Sequence, residues 1–320
     1  MKILITGIHG FVGSNLVNAL KDNHEIYGLD IVTPSKDGVV KTFSWKDLDD
    51  DRIPPVDAII HLAGKAHDTK NKSSADVYFR VNTDLTKKIF DYFSLKRDIR
   101  KFIFFSSVKA AVDKVPGDVL TEDVTPCPIG PYGESKVKAE EYILSSLEEA
   151  GDLYAGKDIV ILRPCMIHGP GNKGNLNLLY GFVKKGLPWP LGAFENRRSF
   201  TSVDNLTFAI EGLLERPIAS GIYNMADDDS LSTNELIAVM NDAMGKKCRI
   251  WRISAGLIRF GAKLGDIFHL PLNTFRLDKL TENYVVSNNK IKNALGIASM
   301  PVDARLGLTK TIKSFQNLKS

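Results

Sequence analysis

The chain is poor in cysteine, and its three cysteines follow no spacing typical of a bridge or a metal site. Cys127, Cys165 and Cys248 are an odd number in 320 residues, and no two of them form a C-x-x-C pair. Wide spacing of this kind is typical of reduced thiols rather than of a disulfide framework or a zinc site. We therefore expect free thiols and no metal.

The chain also lacks a long apolar run and a strong charge of either sign. No stretch approaches the roughly 18 apolar residues of a membrane span, and the apolar segment 3–6 begins without a charged leader before it. The net charge is +4 and the lysines are dispersed, which argues against a nucleic-acid surface. We expect a cytoplasmic protein without membrane insertion whose ligand is a small anionic molecule.

Strand-like and helix-like segments alternate over the first half of the chain. Continuous apolar runs are typical of parallel strands covered on both faces, and the segments between them show the helical period. We therefore predict an α/β fold with a doubly wound parallel sheet. The predicted strands are 2–6, 25–30, 58–62, 101–106 and 158–162, and the predicted helices are 11–20, 76–93 and 132–149.

The alternation ends near Arg163, where segments rich in Gly, Pro, Asn and Arg begin. We predict a first domain over 1–165 and a smaller, mostly helical lobe over 166–320. Segments near 200–225 are expected to be able to return to the first domain.

Two features of the second lobe predict helices. Ser232 and Glu235 form a capping box before an apolar stripe, which indicates a helix start. The segment 251–268 is amphipathic, so it suits either a membrane-surface helix or a helix packed in the core. Core packing is the commoner case, and we expect it here.

Three glycines lie between the first predicted strand and the first predicted helix. Gly7, Gly10 and Gly13 allow a tight turn that brings backbone N–H groups against a pyrophosphate at the positive end of the helix. Asp30 lies at the end of the second strand, where a carboxylate binds the ribose of a dinucleotide and repels a 2′-phosphate. We expect NAD(H) to be favoured over NADP(H), although Lys36 nearby softens that preference.

The glycine motif reads T-G-I-H-G-F-V-G, and with it the chain resembles the extended short-chain dehydrogenase/reductase family. The resemblance continues through "DAIIHLAG", "FFSSV", "PYGESK" and "RPCMIHGPG" and covers nearly the whole chain. It implies a Rossmann fold, a homodimer formed through two helices, and an enzyme acting on a nucleotide-linked sugar. It further implies cofactor contacts at Phe11, Val12, Leu62, Ala63, Gly64, Asn82, Tyr132 and Lys136. For Asn82, capping of a surface helix is the alternative.

A tyrosine followed four residues later by a lysine occurs three times, at Tyr92, Tyr132 and Tyr180. Only the pair Tyr132 and Lys136 follows the serines that end the fifth strand, and ligands of open parallel sheets lie beyond the strand ends. We expect the ammonium of Lys136 and the positive charge of a bound nicotinamide to favour the phenolate form of Tyr132. The resemblance makes Ser107, Tyr132 and Lys136 catalytic and Ser106 a structural neighbour.

The resemblance also indicates the substrate. Asn175, Arg197 and Arg198 lie in loops that match family loops contacting a diphosphate and a base, and Arg198 aligns with the arginine that binds the diphosphate. Ser107 and Lys109 are expected at the sugar. The resemblance therefore implies a nucleotide sugar as the substrate, and we expect it to be linked to UDP.

Four reaction types are weighed against the residues after Ser107. Dehydratases carry Asp-Glu there, whereas this chain has Val108 and Lys109; members that epimerise beside a ketone carry a Cys and a His, where this chain has Lys109 and Gly171. A C4 epimerase and a C4 ketoreductase remain. The chain departs from the S-S-x-x-V-Y-G of 4-epimerases, and "NKGN", "LPWPLG" and "NRRSF" resemble a bacterial subgroup that reduces UDP-4-keto-6-deoxy-N-acetylhexosamines, so we favour the reductase. A catalytically silent cofactor-binding protein is disfavoured, because the Ser-Tyr-Lys set is intact.

Overall fold

Seven parallel strands form the main sheet of the computed structural model, which describes residues 1–66, 74–149, 151–172, 174–268, 270 and 272–317. In chain order the strands are β1 (Lys2–Thr6), β2 (Glu25–Leu29), β3 (Lys41–Phe43), β4 (Ala58–His61), β5 (Lys101–Phe105), β6 (Asp158–Pro164), β7 (Met166–His168), β8 (Phe200–Ser202) and β9 (Gly221–Met225). The sheet order is β3-β2-β1-β4-β5-β6-β9, and β7 pairs with β8 in a separate parallel ribbon.

Helices connect the strands. They are α1 (Phe11–Leu20), α2 (Trp45–Asp49), α3 (Ala75–Tyr78), α4 (Leu85–Leu95), α5 (Val108–Ala111), α6 (Pro131–Glu149), α7 (Asn175–Lys184), α8 (Val203–Glu215), α9 (Thr233–Ala243), α10 (Ala255–Phe268), α11 (Thr274–Thr281), α12 (Asn289–Leu295) and α13 (Ala304–Asn317). A π-helical segment, Phe79–Asp84, joins α3 to α4, and a short 3₁₀ segment, Gly151–Tyr154, follows α6.

Alternate side chains of each central strand enter two different cores. On one face, Ile3 and Ile5 pack in a cluster with residues of α1 and α8; on the other, Leu4 and Phe104 pack in a cluster with residues of α4 and α6. Because both faces are buried, the strands are apolar throughout, which is the pattern that the sequence shows. The predicted doubly wound parallel sheet is confirmed.

A third core lies among the helices of the C-terminal half. It includes Leu176 and Tyr180 of α7, Met240 of α9 and Ile312 of α13. Strand β9 returns to the main sheet beside β6 after this half of the chain has begun. The division of the chain at residue 165 stays a prediction.

Two local predictions for this half have different outcomes. The helix start at Ser232 is confirmed, because its hydroxyl accepts the amide of Glu235 at 3.0 Å while the Glu235 carboxylate accepts the amide of Ser232 at 2.9 Å. The prediction that segment 251–268 packs into the core is wrong for most of its large side chains, although Ile258 packs against the C-terminal core. In α10 the buried residues are Ala262 and Gly265, whereas Phe260 and Ile267 are exposed.

None of the described helices is both long and apolar enough to cross a bilayer. The three cysteines are free thiols, with Cys127 exposed, Cys165 buried and Cys248 half-buried.

Candidate active site

The turn between β1 and α1 is closed so tightly that two of its residues must be glycine. Gly7 has φ +68°, and a Cβ there would lie 2.9 Å from the amide nitrogen of Ala63. A Cβ at Gly13 would lie 2.7 Å from the carbonyl oxygen of Gly7. Backbone atoms cannot yield as a flexible side chain can, so any larger residue would open this turn. The turn is thereby packed directly on the residues that leave β4.

The N-terminus of α1 has the features of an anion site. Gly10 is its N-cap, in an extended conformation and without a side chain to cap the first amides, and the first turn of α1 carries no acidic residue. Phe11 and Val12, the first two residues of α1, line an open cleft at the strand ends. Free amides at the positive end of a helix suit a pyrophosphate, so the residues present fit a dinucleotide.

Asp30 directly follows β2 and faces the glycine turn. Its carboxylate accepts the amide of His9 at 3.0 Å and that of Ile31 at 2.7 Å. Lys36 is close enough to Asp30 for the two charges to interact, and its ammonium donates to the hydroxyl of Ser14 at 2.8 Å. The carboxylate that would bind a ribose is in place, and so is the lysine that would moderate its repulsion of a 2′-phosphate.

The cleft has a volume of about 440 Å³ and lies beyond the ends of the central strands. It brings together most of the residues expected to contact cofactor or substrate. Those lining it are Phe11, Val12, Leu62, Gly64, Ser107, Lys109, Tyr132, Lys136, Asn175 and Arg198. Gly7, Gly10, Gly13, Asp30, Ala63 and Asn82 do not line it; they shape the glycine turn or the layer behind the cleft.

Ser107 lies at the start of α5, just after β5, and Tyr132 and Lys136 lie on α6, which contacts α5. Ser107 is the N-cap of α5 and accepts the amide of Lys109 at 3.2 Å, and a hydrogen bond joins its side chain to Tyr132. Tyr132 and Lys136 lie one helical turn apart on α6, so both side chains reach the same face. The Lys136 ammonium donates to the carbonyl of Phe105 at 2.7 Å, which fixes it at the end of β5.

The protein groups around Tyr132 raise the pKa of its phenol. Burial is the largest cause, because it disfavours the phenolate, and the hydrogen bond from Ser107 offsets part of that effect. Burial also lowers the pKa of Lys136 to about 8, while the carboxylate of Glu140 acts in the opposite direction. The combined effect of the Lys136 ammonium and a nicotinamide on the Tyr132 phenol stays a prediction.

The other two Tyr-Lys pairs serve packing. Tyr92 is half-buried against the core under α4, and the Lys96 ammonium lies 5.2 Å from the centre of its ring. Tyr180 is buried in the C-terminal core, where its ring meets Phe315 edge-on at 5.3 Å. Neither tyrosine lines the cleft, whereas Tyr132 does.

Asn82 is fully buried in the π-helical segment, so the alternative of a surface helix cap is wrong. Its amide accepts the backbone N–H of Lys65 at 2.6 Å and donates to the Ser135 hydroxyl at 2.9 Å. A Cβ at Gly64 would lie 3.1 Å from the Asn82 side-chain oxygen and 3.2 Å from the Lys136 ammonium. Asn82 therefore ties the exit of β4 to the helix that carries Tyr132 and Lys136.

A buried ion pair beneath the site was not anticipated. Glu140 and Arg163 are each 1 % exposed, and the Arg163 Nε donates to the Glu140 carboxylate at 2.9 Å. The same carboxylate accepts a hydrogen bond from the Ser106 hydroxyl, so this hydroxyl is engaged with the ion pair although Ser106 lines the cleft beside Ser107. The sequence held one signal, because Glu140 follows Lys136 by four residues and thus lies one helical turn below it.

The opposite wall of the cleft is cationic. The guanidinium of Arg198 donates to the carbonyl of Lys279 at 3.0 Å and lies 3.6 Å from the carboxylate of Glu282. Arg197 points elsewhere: it is exposed and does not line the cleft. Asn175 is the first residue of α7 and lines the cleft. Arg198 and Asn175 are thus the polar groups of this wall that a diphosphate could contact.

Lys109 and Tyr284 form the remaining side of the cleft. The Lys109 ammonium donates to the Asp113 carbonyl at 2.8 Å and lies 4.2 Å from the centre of the Tyr284 ring. Burial lowers the pKa of Lys109, and Asp113 opposes that effect. The Tyr284 hydroxyl lies 3.0 Å from the carbonyl of Val108 and 2.8 Å from that of Val112, and so fastens the turn that follows Ser107. No sequence motif pointed to Tyr284, which is 176 residues away from Val108.

The fold and this site define a dinucleotide-dependent enzyme of the short-chain dehydrogenase/reductase type. The chain belongs to the NAD dependent epimerase/dehydratase family, whose model matches residues 3–226.

Curated relatives that match most of the chain include two 4-epimerases and a dTDP-glucose 4,6-dehydratase of Streptomyces griseus, which is 26% identical over 99% of this chain and 95% of its own length. A UDP-glucose 4-epimerase of Vibrio cholerae is 28% identical over 98% of this chain and 95% of its own length. An N-acetyl-alpha-D-glucosaminyl-diphospho-ditrans,octacis-undecaprenol 4-epimerase of Escherichia coli O157:H7 is 27% identical over 91% of this chain and 84% of its own. Among solved structures, a UDP-glucuronic acid 4-epimerase from Bacillus cereus in complex with NAD superposes with a TM-score of 0.74 at 19% identity, covering 100% of each chain. That structural likeness bears on the fold alone.

Proposed function

We propose that the protein transfers hydride between NAD(H) and C4 of a UDP-linked hexose. The observation that carries the proposal is one cleft lined by the first residues of α1, which follow the glycine turn, by Ser107, Tyr132 and Lys136, and by Arg198. A sugar placed between the turn and Arg198 would have its diphosphate at the cation and its ring at the tyrosine. The names of the relatives support a sugar carried on a diphosphate as the substrate class.

NAD, when bound, supplies the hydride acceptor. Tyr132 accepts the proton of the C4 hydroxyl as the C4–H bond breaks, and it returns a proton when the ketone is reduced. Ser107 donates a hydrogen bond to the same oxygen. Lys136, held by the Phe105 carbonyl, orients its charge toward Tyr132 and the cofactor site. Because protein groups alone raise the pKa of Tyr132, its phenolate depends on the positive charge of the oxidised nicotinamide.

The net reaction is either epimerisation or reduction. Two relatives that match more than nine-tenths of the chain are 4-epimerases by name, which supports epimerisation with NAD retained through both half-reactions. Lys109 favours the second candidate, reduction of a UDP-4-keto-6-deoxy-N-acetylhexosamine, because it puts a half-buried ammonium in the wall against which a keto-sugar would have to rotate. The segment 108–112 around it also departs from the 4-epimerase pattern.

Two assays separate these reactions. UDP-glucose and UDP-N-acetylglucosamine are incubated with catalytic NAD, and epimers are sought by chromatography; the keto-sugar is incubated with NADH, and absorbance is followed. Epimers without net NADH consumption support epimerisation, and stoichiometric NADH loss supports reduction. If NAD binds but neither epimers nor NADH loss is observed, hydride transfer at C4 is refuted.

Three further proposals concern partners and cofactor. Asp30 supports tighter binding of NAD than of NADP, and equal affinity in a titration would contradict it. The family resemblance supports a homodimer, which light scattering after gel filtration would test. A cytoplasmic location stays a prediction.

A further inference from the structure

Helix α10 presents its large apolar side chains to solvent. Leu257, Phe260, Leu264, Ile267 and Phe268, which we call the apolar face, are 63%, 60%, 37%, 68% and 67% exposed. At 100° per residue these five side chains fall within one stripe on the side opposite the buried Ala262 and Gly265. An amphipathic helix normally packs its apolar stripe against the core, whereas the apolar face of α10 is exposed to solvent.

The flanking segments extend this property. Trp251 before α10 is 57% exposed, and Leu270 and Phe275 after it are 50% and 68% exposed. Single exposed apolar residues are common on protein surfaces, but a group of eight in one short segment marks an interaction surface.

The apolar face is held in place by its hairpin with α11. A Cβ at Gly265 would lie 1.9 Å from the carbonyl oxygen of Leu272, so the two helices are connected by a tight approach. The Asp266 carboxylate accepts both the amide and the hydroxyl of Thr274, at 3.1 Å and 2.7 Å. These contacts fix the orientation of α10, so the exposure of its apolar face is a feature of the folded hairpin.

The stretch of sequence that carries the apolar face is rich in basic residues. Residues 246–279 contain eight lysines and arginines and two aspartates, a net charge of +6, although the whole chain carries only +4. The remainder of the protein is therefore slightly acidic. On α10, Arg259 and Lys263 are exposed and follow one edge of the apolar stripe by helical spacing. One of the two aspartates, Asp266, is occupied with Thr274.

We propose that the apolar face docks the protein on an anionic phospholipid surface, with α10 lying in the plane of the membrane. An apolar stripe bordered by basic residues matches the boundary between acyl chains and anionic headgroups. A second copy of this chain is the poorer occupant, because it would set one net charge of +6 against another. The inference is independent of the proposed reaction.

Docking there would also bring the cleft close to the membrane. The hairpin leads into the cleft wall, since the carbonyl of Lys279 in α11 accepts the Arg198 guanidinium. The Lys279 ammonium reaches Asp113 on the opposite side at 3.3 Å. A membrane that holds α10 would therefore hold the substrate-binding wall next to the lipid surface.

Vesicle co-sedimentation of the full chain tests the proposal. The protein is mixed with vesicles of phosphatidylcholine alone or with about one third phosphatidylglycerol. We expect at least about tenfold tighter binding to the anionic vesicles, weakened by salt. The variant Phe260→Ser/Ile267→Ser/Phe268→Ser should lose at least about tenfold of that binding, whereas Leu95→Ser, a change of an 81% exposed leucine on α4, should lose none.

A charge variant makes the test independent of how the apolar variant folds. Arg259→Gln/Lys263→Gln keeps the apolar face and should bind anionic vesicles several-fold more weakly, with its far-UV circular dichroism unchanged. Equal binding to both vesicle types, absence of binding, or unaltered binding by both variants would overturn the proposal. A fall in oligomer mass of the apolar variant in light scattering, without loss of vesicle binding, would assign the face to self-association instead.

Discussion

Replacing Lys136 by methionine tests what the burial of an active-site ammonium costs the fold. Lys136 is 5% exposed, and burial lowers its pKa from 10.5 to about 8. A group whose charged form is disfavoured in the folded state destabilises that state whenever it is protonated. The gap between the two pKa values corresponds to about 3 kcal/mol.

The sign follows from the protonation of the two states. Below about pH 8 both the folded and the unfolded chain hold the proton of Lys136, and the full cost is present. Between about pH 8 and 10.5 the folded chain has lost that proton and the unfolded chain has not, so the cost fades as the pH rises. Relative to Lys136→Met, the free energy of unfolding of the wild-type protein should therefore rise by about 3 kcal/mol between about pH 7 and pH 10.5.

Urea unfolding followed by circular dichroism at both pH values measures this difference. Comparing the two proteins cancels the titrating groups that do not interact with Lys136 and any constant effect of losing the hydrogen bond to Phe105. Lys138→Met, at an exposed position two residues away, is the matched control and should give a difference that does not vary with pH. A wild-type minus Lys136→Met difference that stays constant would refute the argument that burial controls this lysine. Lys136→Met should also abolish turnover.

Three other substitutions have defined outcomes. Tyr132→Phe should lower turnover at least about a hundredfold, the low end for acid-base catalysis, whereas Tyr92→Phe should keep it; the reverse result would move the proton-transfer role. Gly13→Ala would set a Cβ 2.7 Å from a backbone oxygen and should abolish NAD binding in a titration, whereas Gly181→Ala, with open space around it, should bind normally and gain about 0.5–1 kcal/mol in urea unfolding. Glu140→Gln leaves the buried guanidinium beside it unpaired, so we expect a loss of about 3–5 kcal/mol in the same assay, and a loss below about 0.5 kcal/mol would contradict it.

The sheet could be predicted from the sequence because both its faces are buried. Ile3, Leu4 and Ile5 face two different cores, so each position is apolar. Such a continuous apolar run predicts a buried strand even when the neighbouring strands are unknown. The glycine turn could be predicted for a similar reason. Gly7 and Gly13 are required by close contacts with residues nearby in the sequence or at the end of one neighbouring strand. Local pattern carries this information.

Two features escaped the sequence because distant parts of the chain decide them. The raised pKa of Tyr132 depends on how much protein covers the phenol, which no spacing reveals. The outward apolar stripe of α10 has the same periodicity as an inward one, so periodicity could not tell which side faces the core. Small residues at Ala262 and Gly265 were the one hint, because they permit a close approach of the hairpin on that side.

The bond from Tyr284 to the turn after Ser107 sets an order on the assembly of the molecule during its synthesis. Strands β1 to β6 and the glycine turn are complete once residue 164 has been made, and N-terminal segments of a chain fold first as they emerge. The carbonyls of Val108 and Val112 gain their hydrogen-bond partner only when Tyr284 has been synthesised, 120 residues after the end of β6. In a nascent chain the glycine turn would therefore form well before Tyr284 stabilises the turn that follows Ser107. The active site would be completed only late in the synthesis of the chain.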